Sequence, residues 1–272
     1  MKKNNKQKIV KTLAVLILLP VIVFSGWKIW SIESAYKKSG DAYEEAASFV
    51  TIPEKEENEE PEEQLPEQTP EQSEEPEAEA EEEEEEQIDW PEVDFDALLE
   101  INSDIVGWIY IEDTKINYPI TRGEDNVYYS YHMWNKVYDG FGCIFMDYRN
   151  RRDFSDQNSV LYGHHMQNGT MFQNLHGYKK QDFYDTHKTA YLLTPYKNYR
   201  LEIFAAYVVS LAEDAWKTDF AEGEFEPWYM NAVERSCIET GIVPTPKDKI
   251  VTLSTCSYEW EEARFVVLGI LK

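Results

Sequence analysis

Positive charge is scarce in this 272-residue chain, which carries 26 Lys and Arg against 52 Asp and Glu, a formal net charge of −26. Nucleic-acid binders carry a basic footprint, so this balance argues against DNA or RNA as a partner. Cysteine is also scarce. Three residues, Cys143, Cys237 and Cys256, cannot form a dense disulfide framework, and an odd number leaves at least one thiol unpaired within the chain. The five histidines and three cysteines show none of the compact ligand spacings of zinc motifs, and no cofactor or metal is expected. No tandem repeat is present. Long apolar runs are missing except for one, at residues 12–30.

That run sets the first boundary. Five lysines precede it in residues 1–11. Nineteen helical residues rise about 28 Å, close to the ~30 Å hydrocarbon core of a bilayer. The lysines favour a cytoplasmic N-terminus and place the rest outside the cell. No Ala-x-Ala-like cleavage site follows, and Trp27-Lys28-Ile29-Trp30 has the character of an interfacial anchor. The expectation is a retained single-pass signal anchor at the cell membrane, followed by a short helical stalk over 31–52.

Residues 53–87 are of another kind. Between 54 and 87 there are nineteen Glu and one Lys, so this stretch supplies −18 of the net charge, while residues 1–53 contribute +4 and 88–272 contribute −12. Repulsion among glutamates, repeated prolines and few large apolar side chains predict a disordered linker. The remaining 88–272 suffice for one domain with its own core. Strands are predicted at 105–111, 116–120, 142–146, 159–162, 190–193, 199–209, 250–255 and 264–271. Helical segments are predicted at 94–101, 126–132, 171–177, 181–184 and 227–240. Short strands with helical insertions point to a mainly β (α+β) closed barrel.

The chemistry concentrates in Thr252-Leu253-Ser254-Thr255-Cys256 and Arg264, two apolar strands separated by a polar hairpin loop. Cys256 and Arg264 flank that loop, and opposed Cβ atoms of an antiparallel pair lie roughly 4.5–5.5 Å apart. A thiol beside a guanidinium is a nucleophile beside an oxyanion donor. A third group comes from Asn158-Ser159-Val160-Leu161-Tyr162-Gly163-His164-His165-Met166, where a short strand delivers His164 at its end. Alternation would send His165 to the opposite side, leaving it, with His132, His176 and His187, in a surface or supporting position. Cys143 and Cys237 suit small buried positions in a strand and a helix, although a Cys143–Cys237 disulfide is an open alternative.

These blocks resemble the catalytic blocks of sortases: Thr-Leu-Ser-Thr-Cys at 252–256, Leu-Tyr-Gly-His at 161–164 and Ala-Arg-Phe-Val-Val at 263–267. Asn117-Tyr118-Pro119-Ile120, the run from Gly142 to Asn150 and Asn168-Gly169-Thr170-Met171-Phe172 resemble the class B branch. The resemblance covers roughly 90–272. It implies an eight-stranded sortase barrel with an extra helix at 227–240, and a cysteine transpeptidase with His164, Cys256 and Arg264 as its catalytic set. Such an enzyme cleaves a C-terminal sorting signal of secreted proteins after threonine, in a pentapeptide resembling Asn-Pro-x-Thr-Asn, with Pro-x-Thr-Gly variants as an open alternative. It then transfers the acyl group to an amine of a peptidoglycan precursor or a pilin lysine. Asn126, Trp216 and Ser254 are the implied substrate contacts, and 210–227 the implied specificity loop, although 210–216 departs from the familiar class B pattern. Two alternatives are a cysteine peptidase that releases product to water and a non-catalytic wall-binding domain.

Overall fold

A computed structural model gives the fold of residues 2–53 and 89–272, with side chains described from Leu16 onward. From residue 54 to its end, the predicted acidic linker lies outside the described residues.

Eight strands close a barrel: β3 (Ile105–Tyr110), β4 (Asn117–Thr121), β5 (Ile144–Met146), β6 (Asn158–Tyr162), β7 (Thr189–Leu193), β8 (Asn198–Ser210), β9 (Ile250–Cys256) and β10 (Ala263–Leu271). Their order is β10-β8-β7-β3-β4-β5-β6-β9, closed by the β9–β10 pair. All neighbours are antiparallel except β4–β5 and β6–β9. Closure leaves no free edge on which other chains could pair.

The strands read as nearly unbroken apolar runs because both their faces are covered. Val251, Leu253, Phe265 and Val267 fill the barrel interior with Ile109, Leu161 and Phe172. Their sequence neighbours Ile250, Val266 and Leu268 point outward under helix α4 (Phe225–Arg235), against Phe225, Tyr229 and Ala232. Polar residues on the outer face are paired; Thr252 Oγ1 donates to Asn158 Oδ1 at 2.8 Å. Helix α4 ends at Arg235, short of the predicted 240. There β8 competes for the chain: Ala206 N–H donates to Ser236 Oγ and Cys237 N–H to Ala206 O at 2.8 Å. Cys237 therefore follows the helix rather than lying in it.

The second flank is built by the N-terminal segment. Helix α1 (Lys2–Ala47) contains the apolar run, continues through the predicted stalk and lies against the barrel. Ala42 and Ala46 are buried in a cluster with Trp108, Tyr129, Trp134, Cys143 and Phe145. Their small side chains let the helix backbone approach, so Trp134 Nε1–H reaches Ala42 O at 3.0 Å. Tyr43 Oη–H donates to Gly142 O at 3.0 Å, and Tyr36 stacks on Phe141 with centroids 4.7 Å apart. Beyond the helix, β1 (Val50–Thr51) pairs antiparallel with β2 (Glu92–Val93), in the register Val50↔Val93 and Thr51↔Glu92. Asp94 N–H then donates to Phe49 O, and the Asp94 side chain caps α2 (Phe95–Ile101) by accepting from Ala97 N–H at 2.9 Å. The acidic segment thus leaves and rejoins the fold at one place.

This packing makes residues 36–51 part of what stabilises the barrel. Burying one large apolar side chain contributes about 1.5–3 kcal/mol. At roughly 2–4 °C per kcal/mol for a domain of this size, a protein beginning at residue 88 should melt about 5 °C or more below one beginning at residue 31. Equal melting temperatures by circular dichroism would show that the flank is not needed.

Candidate active site

The β9–β10 hairpin sets Cys256 directly opposite Arg264. Its loop is closed by Ser257 N–H donating to Ala263 O at 3.0 Å and Ala263 N–H to Trp260 O at 3.2 Å. Both Cys256 and Arg264 are half-buried and line one cleft of about 260 Å³. Arg264 donates from one Nη to the adjacent Ala263 O at 2.9 Å. No carboxylate among the described residues forms an ion pair with it. Glu259, in the hairpin loop, is held instead by Lys179 and Ser257.

His164 reaches the same cleft from β6. The parallel β6–β9 pairing sets Tyr162 beside Ser254, and Gly163 N–H continues it to Ser254 O at 3.1 Å. Gly163 has no room for a side chain: a Cβ there would meet Ile144 Cδ1 at 2.5 Å and the Phe172 ring at 2.7 Å. The tight pass brings His164 to the wall of the cleft, with Nε2 3.1 Å from Ser130 O. A carbonyl only accepts, so Nε2 carries the proton in this contact and Nδ1 is the other ring nitrogen of the neutral form.

His165 diverges from His164, but not to the surface. His165 Nδ1 and His176 Nε2 lie 3.1 Å apart and reach the Cys256 carbonyl oxygen at 3.2 and 3.0 Å. At least one of these nitrogens donates to that oxygen. Burial pulls the His176 pKa down to about 4, the nearby Lys179 and His165 acting in the same direction against its bond to Cys256 O. Tyr258 packs against His165, and Lys179 lies over the Phe265 ring. Burial disfavours the Glu259 charge, but the bonds from Lys179 and Ser257 outweigh it and bring its pKa down to about 2. Sequence separation gave no sign that His176 would sit behind Cys256.

The other predicted residues fall in two groups. Asn126 and Ser254 line the cleft, whereas Trp216 stands behind Ser254, its Nε1–H donating to Ser254 Oγ at 2.9 Å. Both ends of the Asn126 amide are engaged: Nδ2 donates to Asp147 Oδ2 and Oδ1 accepts from Tyr148 N–H, each at 3.0 Å. Asp147 is buried, yet Arg149 and Tyr162 hold its pKa low against that burial. Ser130, Tyr162 and the exposed Leu211 also line the cleft. They are ordinary strand and loop residues without a distinguishing pattern.

All three thiols are free, so no Cys143–Cys237 bridge is present. Cys143 is buried, which pushes its pKa up to about 12 and makes it a poor thiolate; Cys237, expected in a buried position, is instead exposed as a residue, although desolvation of its thiol raises its pKa in the same direction. Among the described residues no three His, Cys, Asp or Glu side chains are grouped to hold a metal ion.

The family model for the sortase domain matches residues 109–272. The chain is 38% identical over 177 residues to Sortase B of Listeria monocytogenes, covering 64% of this chain and 72% of that protein. It is 37% identical over 178 residues to Sortase B of Staphylococcus aureus, covering 64% and 73%. The solved Staphylococcus aureus sortase B-substrate complex superposes with a TM-score of 0.63 at 36% identity, over 65% of this chain and 84% of that one. With an eight-stranded barrel and a match over more than half its length, the chain belongs to the sortase family, in the class B branch, and is a cysteine transpeptidase of the cell wall.

Proposed function

We propose that this chain is a membrane-anchored sortase whose Cys256 cleaves a sorting signal after threonine and passes the acyl group to an amine. The observation that carries this reading is the register pairing of Cys256 with Arg264 at a cleft that His164 also lines. The Cys256 thiolate attacks the threonine carbonyl, and the tetrahedral oxyanion is held by the Arg264 guanidinium, which no carboxylate among the described residues occupies. Collapse breaks the peptide bond, and imidazolium at His164 gives its proton to the departing amine. A thioester remains. The acceptor amine attacks it, His164 takes up the proton, and the thiolate leaves with a new amide formed. With Nε2–H turned to Ser130 O, Nδ1 is the nitrogen that exchanges this proton.

Free thiol and imidazole groups, at reference pKa values of about 8.5 and 6.5, adopt the thiolate and imidazolium forms together in well under a few per cent of molecules at neutral pH. Transfer requires the acceptor amine to outcompete water, which would otherwise hydrolyse the thioester. Asn126 and Ser254 face the substrate, and Trp216 positions Ser254. A class B pentapeptide resembling Asn-Pro-x-Thr-Asn is the proposed signal, with a peptidoglycan precursor or pilin lysine as acceptor. Residues 12–30 anchor the chain with its N-terminus cytoplasmic; α1 is the one helix among the described residues long and apolar enough to span a bilayer.

Mass spectrometry of the full chain with a sorting-peptide library should trap a thioester on Cys256, and added amine should divert product into the amide. Cys256→Ala should abolish both, while Cys143→Ala retains them. Product that goes to acid regardless of added amine would identify a hydrolase.

Arg264→Lys should lower kcat by about 10²–10³, the usual loss for one oxyanion donor, since a point charge replaces a planar fork poorly. His164→Ala should remove most activity. Near-normal turnover by Arg264→Lys and Arg264→Ala would take Arg264 out of the catalytic set.

His176 predicts an acid-sensitive fold. Its pKa is about 4 in the folded chain and about 6.5 when unfolded. Between those values the unfolded chain binds a proton that the folded chain does not, so stability falls as pH drops through that window. His176→Gln should flatten this slope in urea titrations from pH 7 to 4.5. A slope unchanged by the substitution would refute the assignment.

A further inference from the structure

Helix α1 meets the barrel in a definite order. Tyr36 stacks on Phe141, Ala42 O takes the Trp134 indole, the Tyr43 side chain reaches Gly142 O, and Phe49, just past the end of α1, packs edge-on to Trp134. Helix side chains lean toward the N-terminus, so Phe141 and Gly142 lie at the end of this contact nearer the apolar run. Gly142 packs against the backbone of Tyr129 and Ser130, so closely that a Cβ would come within 2.5 Å of Tyr129 O. Ser130 O is the partner of His164. The rim of the cleft therefore faces the same way as the N-terminal part of α1. Tyr36 follows Trp30 by six positions, a helical rise of about 9 Å.

The same rim carries an unusual amount of uncovered apolar surface. Val127, Tyr128, Tyr131, Val137 and Tyr138 are exposed, Tyr138 at 68%. They are held rather than loose: Tyr128 stacks on His132 at 3.9 Å, His132 packs edge-on to Tyr138 at 5.5 Å, and Asp139 N–H donates to Tyr131 O at 2.8 Å. Tyrosine rings with an apolar body and a polar tip suit the boundary between lipid and water.

We propose that this tyrosine-rich surface rests on the outer phospholipid interface, so that the catalytic cleft opens against the membrane surface. The inference rests on residues 12–30 being the membrane anchor, because the continuity of α1 from that segment to Tyr36, which stacks on Phe141, fixes which end of the barrel faces the lipid.

The test uses the full chain in nanodiscs of phosphatidylcholine and phosphatidylglycerol, with p-benzoylphenylalanine replacing one residue at a time. Phe24 reports the anchor, Tyr138 and Tyr131 report the proposed face, and Tyr196, 86% exposed in the β7–β8 turn at the other end of the barrel, is the control. Irradiation should give lipid adducts at Phe24, Tyr138 and Tyr131 and none at Tyr196. Adducts at Phe24 but none at Tyr138 and Tyr131, or protein–protein adducts at Tyr138, would overturn the proposal while leaving the anchor intact. A missing adduct at Phe24 would overturn both.

Discussion

The register between β9 and its two neighbours is the constraint on which the site depends. Side chains alternate along a strand, so a slip of one residue against β10 or β6 would turn Cys256 into the barrel interior and bring Thr255 out. The alternating burial of Val251 and Leu253 inside and Ile250 outside makes that slip costly at several positions at once. The parallel pairing with β6 carries Gly163 past Ser254, and the absence of a side chain at Gly163 lets His164 arrive at the wall of the cleft. The geometry of three side chains from distant parts of the sequence is thus held by ladder hydrogen bonds and core packing rather than by contacts among the three.

Behind the nucleophile lies a second layer of polar contacts. The Cys256 carbonyl meets His165 and His176, and the hairpin loop is tied down by Lys179 through Glu259 and Ser257. The helical segment at Phe172–Lys179 supplies both His176 and Lys179, so one element supports the hairpin from beneath. This layer joins an imidazole, His176, kept neutral by burial to a carboxylate, Glu259, kept ionised by its ammonium and hydroxyl partners.

Much of the barrel was legible in the sequence because apolar, β-branched runs bounded by polar turns mark strands irrespective of tertiary context, and the eight observed strands lie within a residue or two of their predicted limits. Asp94 was legible as a helix start for the same local reason. The two ends of the N-terminal segment were not. Tyr36, Ala42, Tyr43 and Ala46 share one helix face, but alanine contributes little to an apolar pattern, so the segment read as a helical stalk with no sign of the barrel it packs against. The two-residue strands β1 and β2 carry no periodicity at all. Within the site, Cys256, His164 and Arg264 stood out because thiol, imidazole and guanidinium sit beside turns at strand ends. Leu211, Tyr162 and Ser130 have no such chemistry to betray them. His176 was missed because only the return of the chain after β6 brings it to the Cys256 carbonyl.

The antiparallel pairing of Val50–Thr51 with Glu92–Val93 changes what the acidic segment can do mechanically. A tether transmits force and sets reach; a segment whose two ends are clasped together does neither. Because the chain is fixed to the fold on both sides, at Val50–Thr51 and at Glu92–Val93, insertions or deletions among the glutamates can alter the charge between them without moving the cleft. A single backbone cut between residues 53 and 89 would likewise leave the barrel held by Trp134, Tyr43 and the short ribbon, in the manner of a nicked protein whose halves stay associated.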